Sequence, residues 1–221
     1  MPTTRTSRPT PYVASFTAAQ TWRCWEATVV PDVVLRPVEE GDRDRLLAWR
    51  NSPQVAAFMY SDHLITREEH DRWFDTLVGH PRRRDWVVLL EDAPVGLTSL
   101  VEIDSRQGRG VIARYLAEER ARGLGLGGFT EFKVADHAFQ VLGLRKLWSE
   151  VLATNQAALA SHLASGFQRE ALFRAHVVKQ GRPVDVVGLG LLAEDWRDHR
   201  AHLRARLAAK GFAEAALDMP L

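Results

Sequence analysis

The sequence has a single cysteine and lacks any long apolar run. One cysteine, Cys24, among 221 residues excludes an intramolecular disulfide and fits a reducing compartment. No apolar stretch approaches the ~20 residues that a membrane helix needs, and the N-terminus lacks the apolar core of a secretory signal. These absences exclude a disulfide scaffold and predict a cytoplasmic protein.

Neither sign of charge is in large excess. Lysine and arginine together number 29, aspartate and glutamate 28, and the formal net charge is +1. No global field would therefore draw the protein onto nucleic acid or an anionic membrane, and we expect neither as a partner. An anionic ligand would have to be held by a local site.

Apolar periodicity and turn signals predict an α/β fold, a mixed central sheet of about seven strands with flanking helices. We divide the chain into an N-terminal extension (residues 1–31), one domain (32–192), and an extra C-terminal helix with a tail (193–221). The predicted strands cover residues 33–38, 86–91, 95–104, 111–116, 146–152, 167–178 and 184–192. The predicted helices cover residues 42–49, 129–142, 155–165 and 193–209, and one more begins at Thr66.

A glycine-rich segment, residues 122–128, precedes the helix predicted over residues 129–142 and is called the glycine loop below. Glycines let a backbone approach a ligand closely, and the amides that open a helix favour anions. The glycines also fit a dinucleotide-binding fingerprint. In that motif the strand turns directly into the first glycine, whereas here residues 117–122 separate the two. A nucleotide P-loop is excluded because Phe129 follows the last glycine. A plain structural turn is the remaining alternative.

Arg-x-x-Gly-x-Gly, filled by Arg122, Gly125 and Gly127, resembles the pyrophosphate loop of the GNAT acetyltransferases. The downstream order of helix, strand, Asn155, helix, Gly166-Phe167 and hairpin is also similar to that family. The resemblance implies a GNAT-like α+β fold and an N-acetyltransferase that uses acetyl-CoA as cosubstrate and no metal. The residues that it implies for coenzyme A binding are Tyr115, Leu116, Arg122, Gly123, Leu124, Gly125, Leu126, Gly127, Gly128 and Asn155.

The resemblance breaks at the general acid. Relatives usually carry a tyrosine seven residues after the asparagine, and here that position is His162. An imidazolium could protonate the leaving thiolate, or the histidine could simply pack on its helix. For a general base we single out Glu150, which shares a strand face with Trp148 and Leu152; Glu102 and the Asp62–His63 pair are alternatives.

The N-terminal half carries the information about the acceptor. Its spacing of aromatic, histidine and arginine residues resembles a GNAT branch that acetylates the 4-amino group of UDP-linked amino-deoxy sugars in pseudaminic acid biosynthesis, for flagellin glycosylation. The substrate-binding residues would be Arg50, Asn51, Tyr60 and His63. The partner expected is therefore a UDP-amino-sugar, and a homodimer is the one assembly considered. Alternatives are a ribosomal-protein-type N-terminal acetyltransferase and a non-catalytic acetyl-CoA-binding module.

Overall fold

The computed structural model describes residues 32–77 and 79–221, so the predicted N-terminal extension lies outside the described residues. The strands are β1 (Val33–Pro37), β2 (Arg84–Leu90), β3 (Ala93–Asp104), β4 (Arg109–Leu116), β5 (Lys146–Leu152), β6 (Gln168–Lys179) and β7 (Arg182–Leu192). The helices are α1 (Arg43–Asn51), α2 (Pro53–Ala56), α3 (Arg67–Phe74), α4 (Leu126–Asp136), α5 (Gln156–Ala164), α6 (Ala193–Ala209) and α7 (Glu214–Asp218). Short 3₁₀ turns cover Glu40–Asp42 and Glu119–Ala121.

The seven strands form one mixed sheet in the order β1-β2-β3-β4-β5-β7-β6. The predicted seven-stranded α/β sheet is thus confirmed. Strands β4 and β5 are parallel, whereas the other neighbours are antiparallel. Their pairing stops after Val111 and Trp148. The second halves of β4 and β5 therefore separate and leave a cleft in the middle of the sheet.

Local signals set most helix ends. Thr66 caps α3 by accepting a hydrogen bond from the Glu69 amide, and the Glu69 side chain completes a capping box by accepting from the Thr66 amide. Helix α1 ends at Asn51, and Pro53 starts α2 at a first-turn position, where proline has no amide to lose. The helix predicted over 129–142 begins at Leu126 and changes to a π-turn over His137–Val141.

Alternation along the strands supplies two cores, one on each face of the sheet. On one face, Trp86 and Val88 pack with Phe129 and Phe132 of α4. On the other, Val87 packs with residues of α1 and α3. The site therefore lies in a sheet that is held rigidly from both sides.

The C-terminal segment packs on α4. Trp196, which is fully buried, lies 5.6 Å from the ring of Phe132 and donates to Asp136 Oδ1 at 3.1 Å. Arg200 binds the same carboxylate through two 2.6 Å hydrogen bonds. Lys133 of α4 donates to carbonyl oxygens at the end of α7. The tail beyond α6, for which no helix was predicted, thus folds as α7 against the domain. In the described part of the chain, no helix has the length and hydropathy to cross a bilayer.

Candidate active site

The glycine loop forms a turn that exposes the start of α4. Gly123 and Gly125 adopt φ values of +77° and +83°, a region that side-chain-bearing residues rarely enter. Gly125 is the N-cap of α4, and its carbonyl accepts the first helical hydrogen bond, from Phe129. The amides of Leu126, Gly127 and Gly128 are therefore free of intrahelical partners. Three aligned amides at the positive end of a helix form an anion site.

The cleft between β4 and β5 leads from this loop into the sheet. Ala113 is exposed although it lies in an inner strand, because β5 has diverged at this point. Tyr115 and Leu116 pair with Leu97 and Gly96 of β3, so their other backbone edge faces the cleft. Asn155 follows β5 in the chain, and its side chain accepts from the Ala158 amide at 3.1 Å and caps α5. An extended ligand arm can therefore lie along β4.

A buried ionic cluster lies on the α4 and α5 side of the cleft. Glu131, 1% exposed, contacts the guanidinium of Arg114 and Nδ1 of His162, and accepts from Ser165 Oγ at 2.5 Å. Burial alone would raise the pKa of Glu131, but the charges of Arg114 and His162 outweigh it and lower that pKa to about 2. Nδ1 of His162 is buried from solvent and lies against the Glu131 carboxylate. Glu131 is the anion that neutralises this cluster.

The opposite face of the sheet carries a second pair of residues beside the cleft. The Tyr60 hydroxyl donates to Glu150 Oε2 at 2.5 Å. Burial, and then the hydrogen bond to Glu150, raise the pKa of Tyr60 above its ordinary value. Glu150 lies just beyond the last residue of β5 that pairs with β4, so its carboxylate stands at the mouth of the cleft. The loop that carries Tyr60 is fixed to the β6–β7 turn, because Asp62 pairs with Lys179 and accepts from the Gln180 amide.

A cavity of about 480 Å³ opens between this face and helices α1 and α3. Residues 113–115 of β4 form its floor. The side chains around it are largely apolar or aromatic, with a few ionisable groups: Leu46, Arg50, Met59, His63, Ile65, Glu69, His70, Trp73, Leu97 and Ser99. A mostly apolar cavity of this size with few polar groups is typical of small-ligand sites. In the described residues, no cluster of three or more metal-ligating side chains exists.

The comparisons with known proteins decide the family. The model of the acetyltransferase (GNAT) domain matches residues 32–168. The chain belongs to the GNAT acetyltransferase family. It is an N-acetyltransferase that uses acetyl-CoA, as the sequence predicted. No curated protein sequence matches the chain significantly.

Solved structures share the fold of this GNAT chain. The spermidine N-acetyltransferase from Vibrio cholerae, in complex with CoA and spermine, superimposes with a TM-score of 0.70 at 20% identity, covering 75% of this chain and 98% of that one. A protein from T. thermophilus that is described as an acetyltransferase gives 0.66 at 24% identity, covering 79% and 93%. A dodecameric form of the Vibrio cholerae enzyme gives 0.64 at 20% identity, covering 74% and 95%.

The residues that the sequence singled out lie in different parts of the structure. The predicted coenzyme A residues border the loop or the cleft, and Arg50 and His63 border the cavity. Asn51 uses both of its amide atoms on the backbone of Ile65, at 2.9 Å each, and so it positions the loop that follows. Glu102 adopts a left-handed φ of +52° and points to solvent on β3.

Sequence reasoning missed Glu131 and the side chain of Arg114. The sequence did offer one signal: Glu131 lies among apolar residues of a predicted helix, directly before Phe132 and one turn before Ala135. A carboxylate that is buried at such a position needs a cationic partner. Its partners are 17 and 31 positions away along the chain. Only the packing of α4 against β4 and α5 brings them together.

Proposed function

We propose that this acetyltransferase acylates an anionic small molecule, specifically the 4-amino group of a UDP-linked amino-deoxy sugar. The observation that carries the proposal is Arg50. Its guanidinium borders the cavity, donates to Ser61 Oγ at 2.7 Å, and has no carboxylate partner within 4 Å among the described residues. Burial lowers the pKa of Arg50, which signals a partly desolvated cation. Such a guanidinium is suited to bind a phosphate.

The charges around the cavity favour an anion over a polyamine. Arg50 is the arginine of the cavity wall that has no carboxylate partner among the described residues, since the guanidinium of Arg114 pairs with Glu131 on the other face of the sheet. Glu69 is the one carboxylate of the lining, and it lies 3.4 Å from His63 Nε2. Several of the similar solved structures are named spermidine N-acetyltransferases, whose acceptor is a polycation. A polycation in this cavity would be repelled by Arg50, while Glu69 is already engaged with His63 and Glu150 with Tyr60. This balance supports the nucleotide sugar.

The apolar part of the cavity supports the same class of acceptor. Trp73 and Tyr115 border it with aromatic surface, and Met59 adds an adaptable wall. Uracil and sugar rings stack well on such surfaces, while the polar groups orient them. An acceptor bound on the floor formed by residues 113–115 would lie beside the strand that would hold the thioester.

The same geometry suggests the proton transfers. The acceptor amine attacks the thioester carbonyl, the carbon–sulfur bond breaks, and coenzyme A leaves as thiolate. Amides of β4 would stabilise the oxyanion. Glu150, on the cavity side of the sheet beside Tyr60, takes the proton from the amine. His162, on the α5 side and paired with Glu131, gives a proton to the thiolate.

The test is an acetyl-transfer assay in which coenzyme A release is followed with a UDP-4-amino-sugar, spermidine and N-terminal peptides as acceptors. We expect turnover with the UDP-sugar. Arg50→Gln should reduce kcat/KM for it about 100-fold without changing acetyl-CoA affinity, because a charged hydrogen bond contributes roughly 1.5–3 kcal/mol. Arg72→Gln is the matched control, since Arg72 is an exposed arginine of α3 outside the cavity.

Each outcome separates the alternatives. Turnover of spermidine alone would replace the nucleotide sugar by a polyamine. Turnover of peptides alone would favour the N-terminal acetyltransferase. An equal loss in Arg50→Gln and Arg72→Gln would show that Arg50 acts through general charge and would refute its role as a phosphate ligand.

A further inference from the structure

The C-terminal helix α6 reaches the glycine loop from outside the matched family domain. The family model ends at residue 168, whereas α6 covers Ala193–Ala209. Helix α6 is fixed to α4 at its beginning by Trp196 and Arg200, as described above. Its far end is therefore held at a defined position relative to the first turn of α4.

Two apolar contacts fix that far end. Phe212 stacks on Phe129, with ring centroids 5.0 Å apart and planes inclined by 13°. Leu207 Cδ2 lies 3.6 Å from the point where a Cβ on Gly128 would stand. Phe129 and Gly128 belong to the first turn of α4, where the free amides lie. The segment between Leu207 and Phe212 consequently lies against the glycine loop.

Lys210 lies in that segment. Its Cδ and Nζ stand 3.1 Å and 3.4 Å from the point where a Cβ on Gly125 would be. No carboxylate among the described residues lies within ion-pair distance of Lys210, and its side chain is exposed. Lys210 is the C-cap of α6, whose negative end favours a cation, and there its ammonium group lies beside the positive end of α4, so that an anion between the two would be bound by both. The arrangement has the composition of a phosphate site: backbone amides, a helix terminus and a cation.

We propose that Lys210 is a phosphate ligand of coenzyme A, so that the C-terminal extension completes the cosubstrate site of this acetyltransferase. The ammonium group supplements the amides of the glycine loop with a mobile positive charge. Removing it should weaken coenzyme A binding while leaving the acceptor cavity unaltered, because that cavity lies on the other face of the sheet. The proposal does not depend on which amine is acetylated.

The experiment is isothermal titration calorimetry of coenzyme A and of 3′-dephospho-coenzyme A with the full-length protein. We expect Lys210→Ala to raise the Kd of coenzyme A about tenfold, Lys210→Glu about 100-fold, and Lys210→Arg to retain most of the affinity. Arg197→Ala is the matched control, because Arg197 is an exposed cation in the first turns of the same helix. Circular dichroism melting of each variant controls for folding.

Two results support the proposal and assign the phosphate. Equal weakening of both ligands places Lys210 at the pyrophosphate, and weakening of coenzyme A alone places it at the 3′-phosphate. Two results overturn it: an unchanged Kd in Lys210→Ala and Lys210→Glu, or the same weakening in Arg197→Ala. If Lys210→Ala melts early, Lys210→Gln, which keeps most of the aliphatic stem, serves in its place.

Discussion

Replacement of Glu131 by glutamine should destabilise the protein in a pH-dependent way. The pKa of this carboxyl falls from an ordinary 4.5 to about 2 in the folded chain. Each tenfold change in proton affinity corresponds to about 1.4 kcal/mol, so the charged form stabilises the fold by about 3 kcal/mol at neutral pH. Glutamine keeps the size and the bond to Ser165 but leaves the guanidinium of Arg114, 10% exposed, without its carboxylate.

The sign of the pH dependence follows from the lowered pKa. Because the folded-state value lies below the ordinary one, the stabilisation is complete above pH ~4.5 and is lost as the pH falls towards 2. Between pH 7 and pH 3 the stability difference between the wild type and Glu131→Gln should shrink by about 2 kcal/mol. In acid, the free energy of unfolding of the wild type thus approaches that of Glu131→Gln.

Urea unfolding followed by tryptophan fluorescence, at pH values from 7 to 3, measures this difference. Glu68→Gln is the control, since Glu68 is an exposed carboxylate of α3 and its loss should change stability by less than ~0.5 kcal/mol. A loss below ~1 kcal/mol at pH 7, or a difference that stays constant down to pH 3, would refute the assignment of Glu131 as the charged centre of the cluster.

Three further substitutions test the site. Gly127→Asp should abolish coenzyme A binding in calorimetry, since its Cβ would stand 2.9 Å from Ser161 Oγ and its carboxylate would repel the pyrophosphate. Gly41→Asp is the control and should bind coenzyme A normally, because a Cβ there would meet nothing within 4 Å. His162→Ala should lower kcat about 100-fold with little change in Kd, and His162→Tyr should restore it; an unchanged kcat in His162→Ala returns His162 to a packing role. Glu150→Gln should lower kcat about 100-fold with little change in the Kd of coenzyme A, and an unchanged kcat argues against this base.

Much of the fold could be predicted because its signals are local. Strand β5 was predicted over the same residues that it occupies, and α6 likewise, since apolar spacing reports a period of two or 3.6 residues. The capping box at Thr66 and the glycines at 123 and 125 act within one turn of chain, so their backbone geometry follows from residue type. The helix after the glycine loop was predicted to begin at residue 129 but begins at Leu126, and its last turn, His137–Val141, is a π-turn.

The candidate site likewise divides into features that local sequence predicts and features that only tertiary packing creates. By itself, the sequence determined the glycine loop, the position of Asn155, and through them the family. The tertiary structure alone decided the separation of β4 from β5, the pairing of Glu131 with His162, and the approach of Lys210 to Gly125. These contacts join residues that are tens of positions apart, and no local preference encodes them. They arise when helices and sheet bury their apolar faces together, and that packing then fixes which charged groups meet.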